Sequence, residues 1–148
     1  MIVMDLATGG SLDDLLQARK ADDVAVPMSA ERRLEIAVQI TGALAFSHEK
    51  GVVHRDVKPG NVLLDDAVEC ARVCDFGLAR STGGAGHADT RHVGAGTPAY
   101  MPPEALRAAT SAVSPAFDVY SVGVLLAELF TGVAPDSRVP GTTDSMNV

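Results

Sequence analysis

The sequence predicts an α+β fold that is mainly helical, with short β pieces confined to its middle. Three observations carry this. Apolar residues recur at helical spacing in three stretches, over about 12–20, 34–48 and 117–130. Between Gly51 and Phe76 the pattern changes to short apolar runs, "VV", "VLL" and "RVC", bounded by turn residues. The 148 residues are 47% hydrophobic, enough for one domain to bury a sizeable core.

The first element, "IVM" at 2–4, reads as the end of a strand, broken by Gly9 and Gly10. Ser11 with Asp14 three residues later is a helix start: the hydroxyl can accept from an exposed N–H, and the carboxylate suits the positive helix end. A short helix over Leu12 to Lys20 follows, then a loop, "ADDVAVPMS". Ser29 can cap the next helix, with Glu31 in its first turn. Its apolar face is expected to be Leu34, Ala37, Val38, Thr41, Leu44, Ala45 and His48, with Gly51 as its stop. His48 is expected to pack on that face rather than to bind a ligand. After the β pieces, which turn at Asp65-Asp66, "STGGAGHADTRHVGAG" at 81–96 is Gly-rich and aperiodic, as a loop would be. A helix from Phe117 to Phe130, stopped by Gly132, is apolar nearly all round, as a central core helix would be. The tail from Ala134 has no periodicity and should be irregular.

The formal charge of −7 disfavours binding to nucleic acid, which needs a basic face. The two cysteines, Cys70 and Cys74, are too few for a zinc site or a disulfide framework, and a reducing, cytoplasmic setting is the simplest expectation. No secretory leader shows at the start, and the longest apolar stretch, "VGVLLA", is too short to span a bilayer. A membrane link through parts outside these residues stays open.

"VVHRDVKPGNVLLDD" at 52–66 sets polar groups between two apolar runs. Asp56 and Asn61 there, with Asp75 in "CDFGLAR", all fall at strand ends or tight turns. Two carboxylates and an amide oxygen form a hard-oxygen set suited to Mg²⁺ and substrate phosphates. Lys58 adds the charge a phosphate needs, and a carboxylate beside such a site can accept a proton from an attacking hydroxyl.

These residues resemble the signatures of eukaryotic-type serine/threonine protein kinases. "HRDVKPGN" resembles the catalytic loop and "DFG" at 75–77 the metal-binding turn. "GTPAYMPPE" at 96–104 resembles the end of the activation segment, "DVYSVGVLLAELFTG" at 118–132 the central helix of the large lobe, and "IVMDLATGGSLDDLL" the hinge and its following helix. Five signatures in the right order are far more specific than any one of them. The central helix looks most like that of receptor-like or tyrosine-kinase-like members.

The resemblance implies a partial kinase large lobe over 1–135, with the tail at 136–148 outside it. It implies ATP and Mg²⁺ as cofactors, and a protein substrate offering a Ser or Thr acceptor. Asp56 would be the catalytic base, and Lys58 would neutralise the transferring phosphoryl group. Asn61 and Asp75 would hold Mg²⁺. Leu63 would lie under the adenine, the backbone of Asp5 and Ala7 would bond its edge, Met4 would be the gatekeeper, and Ser11 or Asp14 would approach the ribose. Cys74 would line the nucleotide pocket, although a small buried residue is its simplest role. Asp118 would anchor the catalytic-loop backbone, His54 would pack on Phe76, and Thr97 would contact Asp56 and Lys58. Arg55 would pair with a phosphate at Ser81, Thr82 or Thr90.

The pattern is also broken. The sequence opens at the hinge, and within it there is no Gly-rich phosphate loop, strand Lys or partner Glu. "PPE" stands for the commoner "APE", Glu104 lacks the Arg that usually pairs with it, and Ser47 occupies a usual Leu position. These residues alone are therefore expected to be inactive or nearly so. The competing readings are a non-catalytic kinase-like fragment acting by protein interaction, a gene-model remnant without function, and a small-molecule phosphotransferase.

Overall fold

The computed structural model describes residues 7–21, 28–65, 67, 69–81, 97–107 and 114–135. The expected strand at 2–4, most of the Gly-rich loop and the tail lie outside them, as do Met4, Asp5, Thr82 and Thr90.

Helix α1, Leu12–Ala21, begins at the expected box. Asp14 N donates to Ser11 Oγ at 3.1 Å, and Ser11 N and Oγ donate back to Asp14 Oδ2 at 2.8 and 2.7 Å. These bonds satisfy end groups the helix cannot pair internally. The segment before it fits against a strand: Gly9 N donates to Leu64 O at 3.1 Å, and Leu64 N to Gly10 O at 2.9 Å. The approach is so close that a Cβ on Gly9 would sit 2.1 Å from Asp65 O.

Helix α2, Ala30–Glu49, is capped by Ser29, whose Oγ accepts from Arg32 N at 3.1 Å. Its buried face is Ile36, Ala37, Ile40, Leu44 and Ser47. This corrects the expected face: Leu34 is 59% and Val38 62% exposed, and Thr41 and Ala45 are exposed as well. Two overlapping apolar stripes run along this helix, and the one containing Ile36 and Ile40 meets the sheet residues and α4. Ser47 is not a gap in the core, because its hydroxyl donates to Val52 O at 2.8 Å and ties the helix end to the next strand.

Two antiparallel pairs follow. β1 (Val52–Val53) pairs with β4 (Arg80–Ser81), and β2 (Val62–Leu64) pairs with β3 (Ala71–Val73) in the register Val62↔Val73. Ser81, expected in the loop, therefore ends a strand. Gln39 of α2 braces the β2–β3 hairpin, accepting from Ala71 N at 2.5 Å and donating to Glu69 O at 3.0 Å.

Helix α3 is a single short piece, Pro103–Arg107, and α4 runs Pro115–Thr131. Ser114 caps α4, Pro115 fits its first turn, and Gly132 at φ +74° ends it. The expectation of a helix buried all round is corrected: Val119 is 65% exposed, and Tyr120 and Phe130 are exposed too. Its buried side is partly polar, carrying Asp118, Ser121 and Glu128 beside Val122, Leu125 and Leu129. Arg33 of α2 donates to Phe130 O at 2.8 Å, which neutralises part of the negative end of α4. One core joins Leu12 and Leu16 of α1, Ile36, Ile40 and Leu44 of α2, Val62 and Leu64 of β2, and Leu125 and Leu129 of α4. Among the described residues no helix is long and apolar enough to cross a membrane.

Candidate active site

The site stands on Asp118, a carboxylate with no exposed surface near the start of α4. Its Oδ1 accepts from Arg55 N at 2.8 Å, and its Oδ2 accepts from His54 N at 2.8 Å and from His48 Nε2 at 2.7 Å. Such a buried charge is tolerable only with donors like these. Arg55 is held at φ +70°, a left-handed conformation that side-chain residues seldom adopt. The kink turns the chain so that the next residue, Asp56, faces away from the helix support and into the site.

Four donors converge on Asp56. Oδ2 accepts from Lys58 Nζ at 2.9 Å and Asn61 Nδ2 at 3.0 Å, and Oδ1 accepts from Thr97 N at 3.1 Å and Thr97 Oγ1 at 3.3 Å. Lys58 Nζ also donates to Thr97 Oγ1 at 2.8 Å, so Thr97 touches both residues the sequence paired it with. Asn61, in the turn Pro59–Asn61, further donates Nδ2 to Asp56 O at 2.8 Å. Burial by itself would raise the Asp56 carboxyl, but the hydrogen bond and charge of Lys58, aided by Asn61 and Thr97 N–H, outweigh it and hold the group below its ordinary 3.8. Asp56 is therefore a carboxylate at neutral pH.

The β2–β3 register brings Asp75 to this cluster. Cys74 N donates to Asn61 O at 2.9 Å, so Asp75 lies one residue beyond the position facing Asn61. Asp75 is left-handed at φ +59°, and its Oδ1 accepts from Gly77 N at 3.3 Å, which shapes the turn Phe76–Leu78. His54 joins the two loops. Its Nδ1 accepts from Asp56 N at 3.2 Å, so its Nε2 carries the proton donated to Cys74 O at 2.8 Å. Its ring meets Phe76 at 4.5 Å between centroids. Burial, then Asp75, pushes the Cys74 thiol up, so it is a protonated, half-buried thiol rather than a nucleophile.

Ser11 bridges Leu63 in an isolated antiparallel contact, with Gly9 and Gly10 bonded to Leu64 beside it. Asp56, Lys58, Asn61 and Thr97 are thus in direct contact, with Asp75 one step along the hairpin. Among the described residues no group of three or more His, Cys, Asp or Glu could share a metal ion. A hard cation here would take Asp75 and Asn61 as protein ligands and complete its shell from phosphate oxygens and water. Asn61 suits this, because its amide nitrogen is committed to Asp56, which leaves its oxygen for a cation.

Three residues of the support were not legible as such. His48 does more than pack, since it hydrogen-bonds Asp118. Tyr100 OH donates to the buried Glu128 Oε2 at 2.5 Å, tying the 97–107 segment to α4. Burial, then the hydrogen bond and charge of Glu128, raise the Tyr100 hydroxyl far above its ordinary value, so it stays a donor. Gln39 is the third. Each is a lone polar group within an apolar helix stretch or beside a proline turn, and that placement was the available signal.

A family profile for the protein kinase domain matches residues 1–147. Among similar chains, serine/threonine-protein kinase PknL of Mycobacterium tuberculosis is 40% identical over 134 residues, 90% of this chain and 31% of that protein. Serine/threonine-protein kinase PknB of Mycobacterium tuberculosis is 36% identical over 135 residues, 90% of this chain and 20% of that protein. Serine/threonine-protein kinase PknK of Mycobacterium bovis is 41% identical over 140 residues, 95% of this chain and 12% of that protein. The chain therefore spans about a third or less of the length of the relatives it matches.

Proposed function

The chain belongs to the protein kinase domain family, and from that premise we propose that it serves ATP-dependent phosphoryl transfer to Ser or Thr hydroxyls of protein substrates. The observation that carries the reading is the Asp56–Lys58–Asn61–Thr97 contact set, with Asp75 held beside it by the β2–β3 register. Asp56 orients the acceptor hydroxyl and takes its proton. Its oxygens already accept four hydrogen bonds, and the longest, from Thr97 Oγ1 at 3.3 Å, is the one an acceptor hydroxyl would replace. Lys58, shared between Asp56 and Thr97, places positive charge where the transferring group would gather negative charge. Asn61 and Asp75 would hold Mg²⁺, which supplies charge neutralisation to the triphosphate.

On this reading Leu63 would lie under the adenine, the backbone of Ala7 would bond its edge and Ser11 would serve the ribose; Asp5 and Met4, expected at the adenine edge and the gatekeeper position, lie outside the described residues. The Ser/Thr preference rests on Lys58 and Thr97, together with relatives named as serine/threonine kinases.

The test is transfer from labelled ATP to Ser/Thr and Tyr peptides by the protein as expressed from its gene. Label on Ser/Thr peptides, lost by about 10²–10⁴-fold in Asp56→Asn, supports the proposal. Mg²⁺-ATP binding with no transfer to any hydroxyl would favour the non-catalytic, interaction-only reading instead.

A further inference from the structure

We propose that Gln39 is a positioning residue for Asp75: its side chain stands in for a third strand and locks the β2–β3 register. Among the described residues this sheet has two strands, so the far edge of β3 has no strand beside it. Successive peptides of an antiparallel strand point alternately toward its partner and away from it. Cys70 O faces β2, where it accepts from Asp65 N at 3.2 Å, and the groups on either side of Cys70 face outward. Both of those meet Gln39. Its Oε1 accepts from Ala71 N at 2.5 Å, and its Nε2 donates to Glu69 O at 3.0 Å. A carbonyl and an N–H two residues further on, both bonded to one amide, are the pattern by which a parallel strand pairs. A carboxamide offers the same acceptor and donor as a peptide, and the two partners fix which atom is which.

β3 needs such a lock. It is three residues long, Ala71–Val73, and only Ala71 is fully buried while Arg72 is exposed. So short a strand, with one buried residue, specifies its register weakly, and a slip of one residue turns every side chain to the other face. Asp75 is reached from β3 through Cys74, whose N–H donates to Asn61 O at 2.9 Å. A slip would therefore carry Asp75 away from Asn61, with which it is read as sharing a cation. Gln39 holds the strand from a fixed support. It stands between Ile36 and Ile40 of α2, which have no exposed surface and belong to the core. On the other side of the turn, Asp65 Oδ1 accepts from Glu69 N at 2.6 Å. The peptides at 69–71 are thus gripped from both edges, inside by Asp65 and outside by Gln39.

The inference rests on the phosphoryl-transfer reading only in naming Asp75 as a cation ligand, and its first measurement needs no nucleotide. Amide hydrogen exchange of the full chain is followed by NMR in wild type and in Gln39→Leu, which keeps the bulk and removes both bonds. Cys74, whose N–H bonds Asn61 rather than Gln39, should lose about tenfold more protection than Leu125, which reports opening of the whole core. In calorimetry, the Mg²⁺ concentration that gives half of the gain in ATP binding should rise about tenfold in Gln39→Leu, with Mg²⁺-free ATP binding unchanged. The proposal is overturned if Cys74 loses no more protection than Leu125, as a merely structural bond would give, or if the Mg²⁺ requirement stays at its wild-type value. A Mg²⁺ gain absent from wild type counts against the nucleotide reading, and the Cys74 amide then decides the positioning by itself. Should Gln39→Leu fail to fold, Gln39→Glu decides. It keeps an acceptor for Ala71 N but sets another acceptor against Glu69 O, so Cys74 should lose about threefold more protection than Leu125. Equal losses at the two amides in that variant overturn the proposal.

Discussion

Replacing Asp118 by Asn changes one oxygen to an amide and almost no volume. The structure sets the size of the effect. Asp118 has no exposed surface, and both of its oxygens accept at 2.8 Å or closer. In the variant one side still accepts, while the other presents N–H against a peptide N–H. Losing a hydrogen bond to a charged group costs about 1.5–3 kcal/mol, and a buried donor left unpaired costs about 1–3 kcal/mol more. The sum is about 2.5–6 kcal/mol, a large share of the ~5–15 kcal/mol that holds a domain together. Urea unfolding with a slope of about 2 kcal/mol/M should show the midpoint falling by about 1.2–3 M. The His54 and Arg55 amides should also exchange much faster. A loss below about 1 kcal/mol, within the range of ordinary substitutions, would refute the view that this carboxylate anchors the loop.

Three further outcomes follow from the same geometry. Lys58→Met removes the partner that holds the Asp56 carboxyl low, leaving burial to raise it. In wild type the lowered value stabilises the fold above the unfolded carboxyl range and is lost as pH falls through the folded value. In the variant, carboxyl NMR should find Asp56 titrating above its wild-type midpoint. Tyr100→Phe takes the hydroxyl from Glu128 Oε2 and should cost about 1–3 kcal/mol in chemical denaturation. Gly9→Ala drives a methyl to 2.1 Å from Asp65 O, so thermal unfolding should register a loss of about 1–3 kcal/mol, or else the 7–11 segment must lift from β2.

Features written in local chemistry were legible from the sequence. The Ser11–Asp14 box, the Ser29 cap and the Gly132 stop depend only on neighbouring residues, and each stands where the spacing put it. The kinase signatures gave Asp56, Lys58, Asn61 and Asp75 as one group, with Thr97 against Asp56 and Lys58; the side chains of Asp56, Lys58, Asn61 and Thr97 meet, while Asp75 stands one residue along the hairpin from the position facing Asn61. What depends on tertiary partners was not legible. Periodicity along α2 allowed a face through Leu34 and Val38 as readily as one through Ile36 and Ile40, and only the position of β3 and α4 chooses between them. In α4, Asp118, Ser121 and Glu128 face inward because loop peptides and Tyr100 meet Asp118 and Glu128 there, while Val119 and Phe130 are left outside. Hydropathy alone ranks these positions the other way round.

The central claim is that Asn61 and Asp75, brought together by the β2–β3 hairpin beside Asp56, form the cation end of a nucleotide site. Calorimetric titration of the chain with ATP, with and without Mg²⁺, tests it most directly. Mg²⁺ should strengthen ATP binding in wild type, and the gain should vanish in Asn61→Ala/Asp75→Ala. An equal gain in that double variant, or no gain in wild type, would contradict the account.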